Sequence, residues 1–324
     1  MHTILGAGGA VANALTRELT NNNETIRLVS RKPIQSASKN ITWKKADLLN
    51  YAELLEAAKG STVIYLTAGL VYDKTIWQQQ WPVIMQNFIN LGKETGARLI
   101  FFDNVYSYGL VNGPMLETTP YNPCSVKGEV RAKIATQLLD EAKAGNIKAT
   151  IARGADFYGT DSQNAFVDMM VLDKYAKKGK AQWIGDPNKL HNFSYIPDMG
   201  KGMFLLGQNP DSDNQVWHMP TAKPITGKQF IEIAADIYGV APKYFAVNKF
   251  ILWMYGLFVK VVMGTVEMYY QYDHDYIFNS DKFEKAFNFK PTAYSEGIKL
   301  MSETLYKKTE SESPHKSGSP KDSG

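Results

Sequence analysis

The sequence predicts an α/β protein, with a doubly wound parallel sheet followed by a smaller, mostly helical C-terminal lobe. Three observations indicate this class. Short apolar runs alternate with helical patterns over the first half of the chain, as in parallel sheets covered by helices. A glycine cluster separates the first apolar run from the first helical pattern. After Gly154 the alternation loosens, and helical patterns dominate.

The first strand is predicted at residues 3–5, and a helix follows in which Val11, Leu15 and Leu19 recur at helical spacing. Between them the chain carries Gly6-x-x-Gly9-x-x-Ala12, with Gly8 in addition. A glycine turn between strand and helix favours a dinucleotide diphosphate, because it lets the backbone approach and the helix N–H groups face the phosphates. The alternative is an ordinary glycine-rich turn. The predicted cofactor-binding residues are Gly6, Gly8, Gly9, Ala10, Val11 and Ala12.

The second strand, at residues 25–30, ends in Ser30-Arg31-Lys32. A carboxylate at this position would hold a ribose 2′-hydroxyl, but here there are two cations and a hydroxyl. These groups suit the 2′-phosphate of NADP, so the sequence favours NADP and keeps NAD as the alternative. A solvated basic turn would also explain them.

Further strands are predicted at residues 41–43, 62–67, 98–103 and 148–153, and helices at 51–59, 77–94 and 129–142. Asp47 and Leu48 follow the third strand and are predicted to border the adenine. Thr67, Ala68 and Gly69 end the fourth strand, where small residues would let a cofactor lie over the strand tip.

The second half of the chain is interpreted as a lobe over the C-terminal edge of the sheet. Its helices are predicted at residues 166–178, 198–207, 227–238, 249–272, 280–287 and 294–304. We therefore divide the chain into a dinucleotide-binding domain (1–160), a lobe interleaved with the last sheet strands (161–306) and a disordered tail (307–324). The aromatic stretch 250–272 is interpreted as lobe core or as a subunit contact, so a homodimer stays open.

Composition excludes several classes of partner. The net charge of the 324 residues is only +4, which gives no reason to expect nucleic-acid binding. Cys124 is the single cysteine, and the five histidines lack ligand spacing, so neither a disulfide nor a metal site is expected. The chain opens without a secretory leader, and its longest apolar run, 250–259, is too short to span a bilayer. A cytoplasmic protein without membrane contact is predicted.

From about residue 3 to residue 304 the chain resembles the extended short-chain dehydrogenase/reductase superfamily, in its NAD-dependent epimerase/dehydratase branch. Besides the glycine turn, the resemblance depends on FFDNVYSYG (101–109), RGADFYG (153–159), FSYIPDMG (193–200) and FNFKPT (287–292). It implies a Rossmann-like fold and an NAD(P)-dependent oxidoreductase or epimerase/dehydratase-like enzyme. The implied substrate is a small carbonyl or hydroxyl compound or a nucleotide sugar. A non-catalytic NADP-binding sensor is the alternative.

The family's catalytic tyrosine, a lysine four residues later and a Ser or Thr after the fifth strand are only partly retained. Lys127 matches the lysine and would also hold the nicotinamide ribose, but Pro123 stands where the tyrosine is expected, and Asn104 replaces the Ser or Thr. Either another phenol takes over, with Tyr121, Tyr106 and Tyr108 as candidates, or water or the substrate supplies the proton, or catalysis is lost. Tyr121 lies closest to Lys127 in sequence, although packing in a loop would also explain it.

Four residues are predicted to face the substrate. Arg153 and His191 resemble family positions at the substrate pocket, Asp156 is a candidate pocket group, and Tyr106 is one of the candidate phenols. A structural role would equally explain Arg153 and His191.

Overall fold

The computed structural model describes residues 1–159 and 165–311. In the first of these ranges strands and helices alternate, as the sequence predicts. The strands are β1 (His2–Leu5), β2 (Ile26–Ser30), β3 (Ile41–Lys45), β4 (Val63–Leu66), β5 (Arg98–Asp103), β6 (Ala149–Arg153) and β7 (Asp156–Tyr158). The helices are α1 (Ala10–Asn21), α2 (Tyr51–Ala58), α3 (Lys74–Thr95) and α4 (Val126–Lys143).

The second range is mostly helical. Its helices are α5 (Asp173–Ala176), α6 (Ile196–Gln208), α7 (Gly227–Tyr238), α8 (Lys249–Gly256), α9 (Lys260–Val266), α10 (Asp281–Phe287) and α11 (Tyr294–Ser311). Its short strands are β8 (Ala181–Ile184), β9 (Leu190–His191), β10 (Phe193–Tyr195), β11 (Val216–His218), β12 (Ile225–Thr226) and β13 (Tyr244–Val247).

The central sheet has seven parallel strands in the order β11-β6-β5-β4-β1-β2-β3. This confirms the predicted doubly wound α/β fold. The strand order reverses at β1, which pairs Leu5 with Leu66 of β4 on one side and with Val29 of β2 on the other. A crevice therefore opens beyond the carboxyl ends of these three strands, where ligands bind in such sheets.

Two apolar layers cover the sheet. On one face Trp81 and Phe88 of α3 and Ile134 of α4 pack on strand residues such as Leu99. On the other face α1 and α6 pack on a second set of strand residues. A third cluster, around Trp183, Phe193, Phe230 and Tyr294, forms the core of the lobe. Because both faces are covered, the inner strand β4 is buried over its whole length, whereas β1, β5 and β6 also bury polar side chains such as Thr3, Asp103 and Arg153.

Three predicted elements differ from the structure. The helix predicted at 249–272 is broken into α8 and α9, because the two pack closely at Gly256, where a Cβ would lie 2.9 Å from the Cα of Met263. The helix predicted at 166–178 contains a π-helical turn at Asp168–Leu172 before α5. The tail predicted from residue 307 is helical as far as Ser311, and residues 312–324 lie outside the described residues.

Helix α8 buries Leu252 and Gly256 but leaves an apolar face open, so the stretch 250–272 is only partly lobe core. Phe250, Trp253, Tyr255 and Phe258 are between 44% and 87% exposed. None of the helices in residues 1–159 and 165–311 combines the length and the apolar character needed to cross a membrane.

Candidate functional site

The turn after β1 needs glycine at position 6. Gly6 has a φ of +81°, and a Cβ on it would lie 2.6 Å from the Cα of Ala68, beyond the end of β4. The N–H groups of Gly6 and Ala7 both donate to the carbonyl oxygen of Val29 at 3.1 Å. The turn is therefore fixed against the ends of two neighbouring strands, and no side chain fits between it and Ala68.

Helix α1 starts at this turn with free backbone donors. Gly9 is its N-cap, with extended backbone and no side-chain cap, and the N–H of Asn13 makes the first bond of the helix, to the Gly9 carbonyl oxygen at 2.8 Å. The N–H groups of Ala10, Val11 and Ala12 therefore have no partner within the helix, which favours an anion at this end. The side chains of Val11 and Ala12 are buried, so only their backbone could serve a cofactor.

A cleft of about 740 Å³ follows the glycine turn along the strand ends. Most of the predicted cofactor residues line it, namely Gly6, Gly9, Ser30, Arg31, Lys32, Asp47, Leu48, Thr67, Ala68 and Gly69. Gly8 lies in the same turn with a φ of +98°. Residues that lie apart in sequence thus meet in one crevice at the reversal of strand order.

The basic turn at one side of the cleft is fixed by Ser30. Its hydroxyl donates to the carbonyl oxygen of Lys32 at 2.6 Å and accepts from the indole nitrogen of Trp43 at 3.0 Å. The side chains of Arg31 and Lys32 are exposed beside it. Ser30 therefore shapes the turn, and the two cations are the groups that remain to meet an anion.

Asp47, Leu48 and Thr67 are held by local hydrogen bonds. Asp47 accepts from the N–H of Leu49 at 2.9 Å, and the carbonyl oxygen of Leu48 accepts from Asn87 at 2.9 Å. The hydroxyl of Thr67 donates to the carbonyl oxygen of Leu5 at 3.1 Å. These bonds tie the three cleft residues to neighbouring backbone and to α3.

Lys127 is held by groups of the lobe and not by a phenol hydroxyl. Its side chain is fully buried, forms an ion pair with Glu267 and donates to the carbonyl oxygen of Gly264 at 2.8 Å. Its Nζ lies 4.1 Å from the centre of the Tyr72 ring. Burial lowers the pKa of Lys127, and the carboxylate of Glu267 opposes that effect.

The hydroxyl of Tyr121 accepts a hydrogen bond from Arg153 at 2.8 Å, so the expected contact with Lys127 is replaced by one with a guanidinium. Arg153 is fully buried and also donates to Asp103 at 2.8 Å. Asp103 forms a second ion pair, with Arg131 at 2.7 Å. Arg153, predicted to face the substrate, is thus occupied within a buried charge cluster and does not line the cleft.

Two other phenols were candidates. The hydroxyl of Tyr108 is fully buried and lies 2.7 Å from Nε2 of His218. Tyr106 is half-buried, and its hydroxyl accepts from that of Tyr72 at 3.2 Å. The side-chain oxygen of Asn104 accepts a hydrogen bond from the backbone N–H of Tyr106 at 3.1 Å, and this bond fixes the turn that carries Tyr106. Of the three phenols named from sequence, Tyr106 is the one whose hydroxyl contacts neither Arg153 nor His218.

Asp156 and His191, both predicted to face the substrate, lie together. Oδ2 of Asp156 accepts from the hydroxyl of Tyr272 at 2.6 Å and lies 3.1 Å from Nε2 of His191. The His191 ring stacks on Tyr272, with 5.3 Å between ring centres. Burial raises the pKa of Tyr272, and the negative charge of the Asp156 carboxylate raises it further. This cluster joins β7, β9 and the segment between α9 and α10.

Sequence reasoning missed Tyr72 and Tyr272 and gave Glu267 no role on Lys127. Only Glu267 offered a signal, because it is the single carboxylate between residues 249 and 272, and a charge within an apolar stretch is normally paired. Across residues 1–159 and 165–311, no three His, Cys, Asp or Glu side chains are grouped in a way that could hold a metal ion.

Comparison with known proteins agrees with this architecture. The model of the NAD-dependent epimerase/dehydratase family matches residues 2–219. Over 110 residues the chain is 32% identical to cinnamoyl-CoA reductase 1 of Petunia hybrida, a stretch that covers 31% of the chain and 33% of that relative. The match thus spans about a third of the relative's length.

Solved structures extend the likeness of fold to nearly the whole chain. A dTDP-glucose 4,6-dehydratase of Streptomyces venezuelae with NAD bound superposes with a TM-score of 0.78 at 13% identity, covering 94% of this chain and 97% of that one. The UDP-glucose 4-epimerase of Thermus thermophilus in complex with NAD gives 0.76 at 15% identity, covering 94% and 99%. At such identities the likeness establishes the fold alone.

Proposed function

The chain belongs to the NAD-dependent epimerase/dehydratase family, and from that premise we propose that it is an NADP-dependent oxidoreductase that reduces the carbonyl group of a small substrate. One observation carries the proposal. Gly6 is held against Ala68 at the reversal of strand order, and the cleft that begins there is open to the adenosine and diphosphate half of a dinucleotide. The free N–H groups at the start of α1 would hold the diphosphate.

We prefer NADP to NAD because of the basic turn. Arg31 and Lys32 line the cleft where a carboxylate would hold an unmodified ribose, and both are exposed and able to meet a 2′-phosphate. Asp47 and Leu48 would border the adenine from the opposite wall. Lys127 would hold the ribose next to the nicotinamide once it is released from Glu267.

The bound cofactor would supply a hydride, and the chain would supply the proton. Tyr106 suits that role by its position, because its side chain is only half-buried and its hydroxyl contacts neither Arg153 nor His218. Burial and the nearby carboxylate of Asp156 raise the pKa of Tyr106, so it keeps its hydrogen at neutral pH and would release it only as the hydride arrives and negative charge develops on the substrate oxygen. Tyr72 donates to Tyr106, so the hydrogen of Tyr106 is left for the substrate. The side chain of Asn104 fixes the turn that carries Tyr106.

A small carbonyl compound is the proposed substrate class. The similarity to a cinnamoyl-CoA reductase over 110 residues supports it, although it covers only a third of that protein. A nucleotide sugar is the alternative, supported by the names of the structural neighbours. The exposed single thiol of Cys124 supports a reducing compartment such as the cytoplasm. Light scattering would test the homodimer left open by the sequence.

Two measurements on the purified chain test the proposal. Calorimetric titration should give tighter binding of NADPH than of NADH, and a panel of aldehydes, ketones, CoA thioesters and nucleotide sugars should reveal NADPH oxidation. Lys127→Ala should abolish turnover, and it should keep most of the NADPH affinity, namely the part that comes from the adenosine half of the cofactor. Absence of binding for either coenzyme would refute the proposal.

A second candidate, a non-catalytic NADP-binding sensor, is favoured by one specific observation. Pro123 occupies the family's tyrosine position, the phenol nearest to it in sequence, Tyr121, accepts a hydrogen bond from Arg153, and Lys127 is paired with Glu267. NADPH binding without turnover on the whole panel would favour this candidate over the enzyme.

A further inference from the structure

Glu267 contacts the start of α4 at two points. One oxygen of its carboxylate pairs with the ammonium of Lys127, and the other accepts from the backbone N–H of Val126 at 3.1 Å. Val126 is the first residue of α4, where the helix dipole favours a negative charge. The ammonium and the helix end therefore stabilise the same carboxylate.

Helix α9 closes over Lys127 because it carries a glycine at the point of contact. A Cβ on Gly264 would lie 2.6 Å from the carbonyl oxygen of Tyr72 and 3.5 Å from Nζ of Lys127. The carbonyl oxygen of Gly264 accepts from the same ammonium at 2.8 Å. The Lys127 side chain is 0% exposed, whereas that of Glu267 is 22% exposed. A ligand that approaches from solvent would meet Glu267 before Lys127.

This closure coincides with the end of the open cleft. Leu70 and Val71 line the cleft, whereas the next residue, Tyr72, does not and packs instead under α9 and beside Lys127. The open part has the glycine turn and the basic turn, which suit the adenosine and diphosphate half of a dinucleotide. The other half would reach Lys127 only if Glu267 and the Gly264 carbonyl gave up the ammonium.

We propose that Glu267 is the positioning residue of Lys127, which holds the ammonium in a closed arrangement and competes with the nicotinamide ribose of the cofactor for it. This inference rests on the proposed function, because it takes NADP as the competing ligand. Cofactor affinity is reduced by the fraction of molecules that are closed, so weakening the closure raises affinity. A fragment that fills only the open part of the cleft is insensitive to the closure.

Calorimetry on the full chain with two ligands separates these effects. NADPH carries the nicotinamide ribose, and adenosine 2′,5′-bisphosphate lacks it. Glu267→Gln should raise the affinity for NADPH by about three- to tenfold and leave that for adenosine 2′,5′-bisphosphate unchanged. Glu267→Asp, which keeps the charge, should stay closer to the unmodified protein. Glu232→Gln, the same change at an exposed position of α7, should alter neither affinity.

Gly264→Ala provides an independent variant in which the carboxylate is retained. Its methyl group would meet the carbonyl oxygen of Tyr72, so α9 has to move away, and NADPH affinity should rise selectively as with Glu267→Gln. If Glu267→Gln does not fold, the NADPH affinity of Gly264→Ala tests the inference by itself. NADPH affinity that stays unchanged or falls, or a change shared equally by both ligands, overturns the inference. An unmodified chain that binds neither ligand refutes the proposed function itself.

Discussion

The hydroxyl of Tyr72 donates to the hydroxyl of Tyr106 across 3.2 Å and so joins the loop after β4 to the turn after β5. If Tyr106 supplies the proton, Tyr106→Phe should lower kcat by about a hundredfold or more, the usual effect of losing a general acid. NADPH affinity should change little. Steady-state kinetics and calorimetry would check this, with Tyr72→Phe as the matched variant and a smaller expected loss. Full turnover in Tyr106→Phe would rule Tyr106 out as the proton donor.

Gly6 and Gly9 should respond differently to alanine. Gly6→Ala places a methyl group against Ala68 at a positive φ, so we expect the free energy of unfolding to drop by about 1–3 kcal/mol and NADPH binding to be lost. A Cβ on Gly9 has no atom within 4 Å, so Gly9→Ala should leave the melting temperature unchanged and still weaken NADPH binding. Thermal melts and calorimetry on both variants decide this. Unaltered NADPH affinity in Gly9→Ala would argue against a diphosphate at this turn.

The double variant Arg31→Ala, Lys32→Ala tests coenzyme preference. Removing both cations should weaken NADPH binding about tenfold or more and leave NADH binding nearly unchanged, because only NADPH carries the 2′-phosphate. Lys177→Ala with Lys180→Ala removes the same charge from exposed positions of the lobe and serves as the control. An equal loss for both coenzymes would mean that the basic turn acts by general attraction only.

Asp103 holds two buried guanidiniums, those of Arg131 and Arg153, at 2.7 and 2.8 Å. Asp103→Asn leaves two buried cations without a counter-charge, so the free energy of unfolding should fall by about 3–5 kcal/mol. Urea titration measures this change. The exposed pair of Lys93 and Glu141 gives the contrast, since Glu141→Gln should cost less than about 1 kcal/mol. Comparable losses in the two variants would mean that burial does not determine how much the Asp103 ion pairs contribute to the free energy of unfolding.

Asp168 should make the protein less stable as the pH rises. Burial raises the pKa of Asp168 to about 8, whereas the unfolded chain ionises near the ordinary value of 3.8. Between about pH 4 and pH 8 the unfolded state therefore binds fewer protons, and stability falls through this window. Asp168→Asn keeps an acceptor for the N–H of Gly159, which lies 3.1 Å from Oδ2, and should flatten the dependence and raise the melting temperature at pH 8.

Thermal melts across this pH range should show no such flattening for Asp140→Asn, an exposed change on α4. An equal pH dependence in Asp168→Asn and the unmodified chain would show that another group is responsible.

Most of the sheet could be predicted from sequence, because its signals are local. The apolar run at 98–103 coincides with β5, and the helical pattern at 227–238 coincides with α7, which starts at a capping box of Thr226 and Gln229. The break between α8 and α9 was not predictable. It depends on the packing of Gly256 against Met263, which are brought together only by the tertiary structure.

The proposed cofactor half of the site was more predictable than the proposed catalytic half. The glycine turn and the basic turn each lie within a few residues of sequence, and both line the cleft. Lys127 meets Glu267 across 140 residues, and Arg153 meets Tyr121 across 32, so motif spacing could not show that these side chains are already paired. A buried charge needs a partner, and which residue becomes that partner depends on the tertiary structure.

Strand β11 comes from the second half of the chain and completes the sheet beside β6. A fragment that ended near residue 160 would expose the backbone of β6 as an open edge, ready to pair with a second molecule and aggregate. The complementary fragment would contain β11 without its partner strand β6. The hydrogen bonds from Nε of Arg98 to both carboxylate oxygens of Asp213, each 2.9 Å, would be lost by the same cut. The two halves are therefore best expressed together, and mixing separately made pieces should restore the edge only when both are present.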